Sequence, residues 1–550
     1  MEIDLIVEAD TIITLDAKRP TATRVGVLGG RIVGFDEELD GVTATRRDSF
    51  PGQVLVPGFI DAHCHTTWWG LGLTAVQLDQ ARGLEHLYSM IEDEVRRLAD
   101  DPTAWIHGTG FNQKHHGGEY PDIARLDEIT GEHPLYLRHT SGHASITNTA
   151  TLKLIGALDE GFENPVGGEV VRDANGHPTG LLDEAAQSLI QSMLLPYSAE
   201  EIARALDAAT RRYAAEGITS FTEAGVGGGW IGHSPIEVAG YQLAKASDRL
   251  HARAQLMPAI DSLTMLEGNA GDFRGAGHGL TAALGVGPGF GTDWIRLGHV
   301  KAFMDGSLLG KTAAVTEDYC GHDHNRGYLL NTPEQYREDV LATYRAGWPV
   351  ALHAIGDAGI DMALDLIEEC QDTYGVNDVP NRVEHFGIAR PDQVERAGRL
   401  RITVTPQAGF IGPLGDQFAK NVGPEREGWL YRGRSVVEAG AILAGSSDLP
   451  VADNNIRRGM QTAVDRLTEN GLVLGPEEGL TPEQALRSYT EWGAIGTGQI
   501  ADKGTLERGK LADFVVLSDS PLTCDSIAKL DVIATFVGGA ATYDSRANAR

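Results

Sequence analysis

Apolar and polar residues alternate most regularly at the two ends of the chain. Over the first ~55 residues this period-two pattern predicts short strands joined by turns. Within it, "RVGVLGGRIVGFDE" reads as a hairpin, two β-rich runs around Gly29-Gly30. The far end repeats the pattern in "LADFVVLSD" and "ATFVGGAATYD". Two β-rich ends predict one small β-domain assembled from residues 1–56 and 500–550.

Between them, residues 57–499 carry strand-then-helix units. The buried-strand candidates are "VLVPGFIDAH", "GITSFTEAG", "ARAQLMPAI", "IRLGHVKAFMDG", "PVALHAIGD", "NRVEHF", "RITVTPQ" and "AILAGSSD". Helical patterns such as "AEEIARALDAATRRYAAEG" and "GIDMALDLIEECQDTYG" separate several of them. Eight units are the count of a (β/α)8 TIM-like barrel, an α/β fold whose reactive groups sit where strands end. A doubly wound sheet is the competing architecture, but no GxGxxG follows the first strand. Roughly 150 residues separate the first two strands, too many for one barrel helix. An inserted subdomain at about 70–190 is therefore expected, with a hairpin at "GGEVVRDANGHPTGLL".

Chemistry-bearing residues fall at the ends of these strands. In "FIDAHCH", His63 and His65 are two apart and project from one face, while Cys64 points the other way. His353 follows the apolar run of "ALHAIGD", and His385 ends "RVEH". Alternation turns Glu384 away from His385, so Glu384 is expected to pair with a helix. Asp448 ends "ILAGSSD", where a helix N-cap is the bland alternative. Each residue alone is equally readable as structural. Four histidines and an aspartate at strand ends together point to a metal centre, because imidazole and carboxylate are the ligands zinc and related divalent ions take.

Lys301 lies inside "HVKAFMDGS", an apolar strand. His299, Lys301, Phe303 and Asp305 share one face there, assigned to the barrel interior. A buried ammonium needs a partner or must lose its charge. A neutral lysine can take up carbon dioxide as an anionic carbamate and bridge two metals. The alternative is a cation paired with Asp305 or with substrate, and spacing does not decide between them.

Composition narrows the partners. The chain of 550 residues is 42% hydrophobic and 22% charged, as for an ordinary globular protein, and its net charge of -31 disfavours nucleic acid and anionic membranes. Four widely spaced cysteines without a CxxC pair suggest a reducing compartment. The start "MEIDLIVEADTIITLD" lacks the basic and apolar regions of a signal peptide, and no apolar run approaches membrane-spanning length. A cytoplasmic location is expected, and a homodimer would be ordinary for this size.

The chain resembles the amidohydrolase superfamily, and within it amidohydrolase family 3, nearly end to end. "VPGFIDAHCH", "GHASITN", "VKAFMDGSLLGKTA", "HAIGD", "RVEHF", "GSSDLPV" and "KGTLERGKLADFVVL" carry the likeness. N-substituted formamide deformylases are similar in length and layout. The resemblance implies the barrel plus a small β-sandwich from both termini. It also implies two zinc ions, or another divalent metal: one on His63, His65 and Asp448, the other on His353 and His385. Carbamylated Lys301 and a hydroxide would bridge them, with Asp448 moving the proton to the leaving nitrogen. His143 is a candidate for orienting the substrate carbonyl, against an equal alternative of bonding to backbone. Trp69, Asn112 and Asp305 are assigned to substrate. Trp68 and Trp69 serve equally well as a pocket wall or as core. Phe111-Asn112 replaces a tryptophan-aspartate pair of relatives and removes a negative charge where substrate is met.

The implied reaction is hydrolysis of a carbon–nitrogen amide bond in a small N-acyl or N-formyl compound. One competing reading is a mononuclear deaminase of a ring amidine, which calls for a glutamate shortly after His353, where "HAIGDAG" offers Asp357. Another is a non-catalytic regulator on the same scaffold, whose signature would be lost ligand positions.

Overall fold

A computed structural model describes residues 2–99, 101, 103–139, 144–165, 168–228 and 231–547. The chain divides into two compact units, Met1–Thr67 with Ala209–Arg550, and Trp68–Ala208.

In the first unit, strands from both chain ends share one seven-stranded sheet. Its order is Ala540–Asp544, Val532–Val537, Phe514–Leu517, Thr43–Pro57, Glu2–Asp16, Arg19–Leu28 and Arg31–Phe35. Phe514 lies opposite Pro57 and Val516 opposite Leu55 in the antiparallel seam that joins the two ends. Val7, Val25, Phe50, Phe514 and Phe536 are all buried in the cluster on this sheet. Arg19–Leu28 and Arg31–Phe35 form the expected hairpin, with Gly29 and Gly30 at φ +60° and +77°. Both signs are what a two-residue hairpin turn requires, and glycine meets them without steric cost.

The same unit contains two parallel sheets. One runs Ile295–Leu297, Arg253–Pro258, Ile218–Val226, Phe59–Cys64; the other runs Val300–Phe303, Val350–Ala354, Arg382–His385, Thr403–Thr405, Ile442–Leu443. A parallel bridge between Ala259 and Lys301 connects them on one side. On the other, the Ala62 amide donates to the Gly445 carbonyl at 3.1 Å. Helices Pro333–Arg345, Asp357–Tyr374 and Pro391–Arg399 lie between successive strands of the second sheet. Ile218–Val226 is buried along its whole length, as expected of a parallel strand covered on both faces.

Arg253, on a parallel strand, donates to Asp513 at 2.7 and 3.0 Å, just before Phe514–Leu517 of the seven-stranded sheet. Both side chains are buried. Asp513→Ala leaves the guanidinium buried without its partner, so a loss of about 3–5 kcal/mol is expected. The midpoint of urea unfolding measures it.

The second unit holds a six-stranded sheet that includes Ile106–Phe111, Leu135–His139 and Ala144–Thr147. Gly168–Arg172 and Pro178–Glu184 pair antiparallel within it. Among the described residues no helix is long and apolar enough to cross a membrane.

Candidate metal centre

His63 and His65 end the strand Phe59–Cys64, and alternation turns both imidazoles to one side. Cys64 faces the other way, with its sulfur 3.4 Å from the Thr66 hydroxyl. The His63 and His65 Nε2 atoms lie 3.3 and 3.1 Å from Asp448 Oδ1. Ligand atoms of these three residues all fall within 4.8 Å of one another, close enough to share one ion. His385 and His353 continue the cluster: ring centroids are 4.9 Å apart for His63 and His385, and 4.4 Å for His385 and His353.

Two of these residues sit in left-handed backbone, His385 at φ +70° and Asp448 at φ +54°. Such conformations outside glycine cost of order 1–3 kcal/mol each and collect at functional sites. The neighbouring Ser447 is held by Asp61, which accepts from the Ser447 amide at 3.0 Å and the Ser447 hydroxyl at 2.5 Å.

A further layer fixes the imidazoles. The His63 Nδ1 contacts Glu384, which Arg382 grips at 2.7 and 2.8 Å. The His385 Nδ1 meets the Gln407 Oε1 at 2.8 Å. A carboxylate or amide oxygen behind one ring nitrogen leaves the other nitrogen basic and aimed at the ligand position. The carboxylate Glu223 accepts from the Thr66 and Thr67 amides at 2.9 and 3.2 Å, just beyond His65.

Burial drives the His385 pKa down to about 3 and holds His353 and His65 below the ordinary range. These three imidazoles are therefore neutral, the state in which they bind metal. Burial pushes the Glu384 and Asp448 carboxyls up. Arg382 and His63 outweigh it at Glu384, and hydrogen bonds to His63 and His65 do so at Asp448, so both stay ionised.

Lys301 is 1% exposed, and its Nζ has no hydrogen-bond partner. Burial lowers its pKa to about 8 against the pull of Glu384 and Asp448, and its charge acts on His65, His353 and His385. The His63 Nε2 faces the Asp448 Oδ1 at 3.3 Å. A buried amine without a hydrogen-bond partner, beside imidazoles and a carboxylate whose ligand atoms converge, makes a donor set that fits divalent metal.

Other expectations meet different surroundings. Asp305 does not pair with Lys301, and its carboxylate accepts backbone amides of Ala314, Ile355 and Gly356 at 2.8–3.0 Å. Buried at 1% exposure, it fastens these loops and also lies 3.5 Å from the His353 Nε2. The strand ends at Phe303, so alternation no longer governs Asp305. Glu384 pairs with no helix; its partners are Arg382 and His63. Asp357 accepts the Thr316 amide at 2.9 Å and lies 3.3 Å from an Arg390 guanidinium nitrogen. Trp68, Trp69 and Asn112 belong to the second unit, where Trp69 and Asn112 are half-buried. Phe111 is core there, stacked on His116 with centroids 5.3 Å apart. His143 lies outside the described residues.

Arg382, Gln407 and Asp61 escaped the sequence reading. Arg382 and Glu384 did carry a signal, since two residues apart on a strand they share a face. Glu384→Gln is expected to weaken metal binding about 10–100-fold, the usual cost of losing a ligand's supporting partner. Metal titration against a chelating indicator measures it.

Comparisons with known proteins agree with this frame. The amidohydrolase family matches residues 51–543. An Arabidopsis thaliana protein, LONG AFTER FAR-RED 3, is 32% identical, covering 98% of this chain and 91% of its own. The N-substituted formamide deformylase of Arthrobacter pascens is 29% identical over 98% of both chains. The crystal structure of an uncharacterized metal-dependent hydrolase from Pyrococcus horikoshii superposes with TM-score 0.73 at 22% identity, covering 94% and 98% of the two chains, a likeness of TIM-barrel-like fold. The enzyme class that follows is a hydrolase of carbon–nitrogen bonds other than peptide bonds. The chain belongs to the amidohydrolase family.

Proposed function

We propose that this protein hydrolyses the amide bond of a small N-formyl or N-acyl compound, using two divalent ions, zinc foremost. His63, His65 and Asp448 would hold one ion, and His353 and His385 the other. Lys301, carbamylated, would join them. Metal bound there would polarise the substrate carbonyl and make water acidic enough to attack near neutral pH. The nine parallel segments would form eight barrel strands, Ile295–Leu297 running on into Val300–Phe303. Residues 1–56 and 500–550 would make the β-sandwich, and about 70–190 the inserted subdomain.

The buried Lys301 amine carries this reading: its Nζ has no hydrogen-bond partner beside the imidazoles and lies 4.7 Å from the Phe303 ring. Its neutral form attacks carbon dioxide, a nitrogen–carbon bond forms, and one proton leaves. The resulting anion replaces a buried cation that has no hydrogen-bonded carboxylate partner. Asp448 accepts the proton of the attacking water and returns it to the leaving nitrogen. The carbon–nitrogen bond breaks, giving an acid and an amine. Kinship with a formamide deformylase over 98% of both chains supports a formyl or short acyl group.

Deamination is disfavoured by Asp357, whose carboxylate is engaged by Thr316 and Arg390. A non-catalytic role is disfavoured because no member of the proposed ligand set has been lost. The test is a panel of N-formyl and N-acyl amines with metal-loaded protein, scored for released amine and acid. Ammonia released from a ring amidine, with no turnover of the amides, would sink the proposal.

A further inference from the structure

A pocket of about 270 Å³ lies within the first unit where the parallel strands begin. The imidazole cluster sits where they end. His299, just before Val300–Phe303, lines the cavity with Gln255, Arg296 and Asn377. Each of the four has a buried polar atom without a hydrogen-bond partner: His299 Nδ1, Gln255 Oε1, Arg296 Nε and Asn377 Nδ2. His299 is 0% and Gln255 4% exposed.

Their other atoms fix what each offers. The His299 Nε2 lies 2.9 Å from the Pro380 carbonyl, which only accepts, so this nitrogen carries the proton and Nδ1 is an acceptor. The Gln255 amide nitrogen donates to the Thr497 carbonyl at 2.8 Å, leaving Oε1 as a second acceptor. The Asn377 oxygen accepts from Arg274 at 2.6 Å, leaving Nδ2 as a donor. Arg296 forms no ion pair among the described residues, Asp378 on the cavity wall included. Gly298 keeps the arrangement open, since a Cβ there would fall 2.6 Å from the Gln255 side-chain carbonyl carbon.

Water could satisfy single atoms, but the space is several times the roughly 30 Å³ that one water takes. Water also brings no counter-charge to Arg296. We propose that this cavity binds a small carboxylate that also carries a hydroxyl or amine, of the hydroxy-acid or amino-acid class. The carboxylate would lie on Arg296 and Asn377, and the donor on His299 Nδ1 and Gln255 Oε1. The site is separate from the metal ligands and stands independently of the proposed reaction.

Glycolate is the smallest probe with both groups, and glycolamide is its uncharged counterpart. Calorimetric titration of metal-loaded, full-length protein should detect glycolate binding, with glycolamide at least about tenfold weaker, as for loss of a charge-assisted hydrogen bond. Arg296→Met and Asn377→Asp should each weaken glycolate by a similar factor. Either variant suffices should the other fail to fold. Crystals soaked in glycolate should hold it in the cavity. Glycolate found only at the imidazole cluster, water alone in the cavity, or binding unchanged in a folded variant would each overturn the proposal.

Discussion

Lys301→Ala is expected to cost the protein one of the two proposed metal ions and to lower kcat/KM by more than about 100-fold, beyond the effect of losing a supporting residue. Lys301 is the only side chain assigned to both ions, so its loss removes the protein's link between them. Methionine in its place fills the same space and should behave alike. Arginine provides the sharpest contrast, because it keeps a cation but forms no carbamate. Lys301 has no carboxylate partner, and Asp305, the candidate for that role, is occupied by three backbone amides. Activity retained by Lys301→Arg would mean that the lysine works as a cation. Steady-state rates on the best amide of the panel, taken beside metal content, measure all three variants.

Asp448→Asn is expected to lower kcat by about 10²–10⁴-fold, the usual contribution of a positioned acid–base group. The choice of asparagine matters. Asp448 has φ +54°, a conformation asparagine adopts more readily than alanine does. The fold should therefore persist while the proton acceptor disappears. Oδ1 also lies within 3.3 Å of both His63 and His65, so the first ion should bind more weakly. An unchanged kcat with full metal content would remove Asp448 from the proton path.

Much of the site was legible because strand geometry is simple. His63 and His65 face together by period-two alternation, and His353, His385 and Asp448 fall at strand ends. The rule failed where the backbone left the strand. At His385 the chain turns left-handed, so His385 approaches His63 although Glu384 reaches His63 as well. Asp305 lies beyond the end of its strand and folds back to cap loops. Gln407 and Asp61 act on residues far away in sequence, and no local pattern marks such pairings. In the fold, the strands at both termini were readable from alternation. That they share one sheet is written in the pairing of Phe514 with Pro57, a contact between residues more than four hundred positions apart. Trp69 and Asn112 show the same boundary, since amino-acid type alone does not say what an aromatic or an amide will face.

The central claim is a two-metal site joined through Lys301. Elemental analysis of wild-type protein produced with zinc, run beside Lys301→Ala, tests it most directly. The account predicts close to two ions per wild-type chain and close to one in the variant. A single ion in the wild type, or two retained without Lys301, would contradict it.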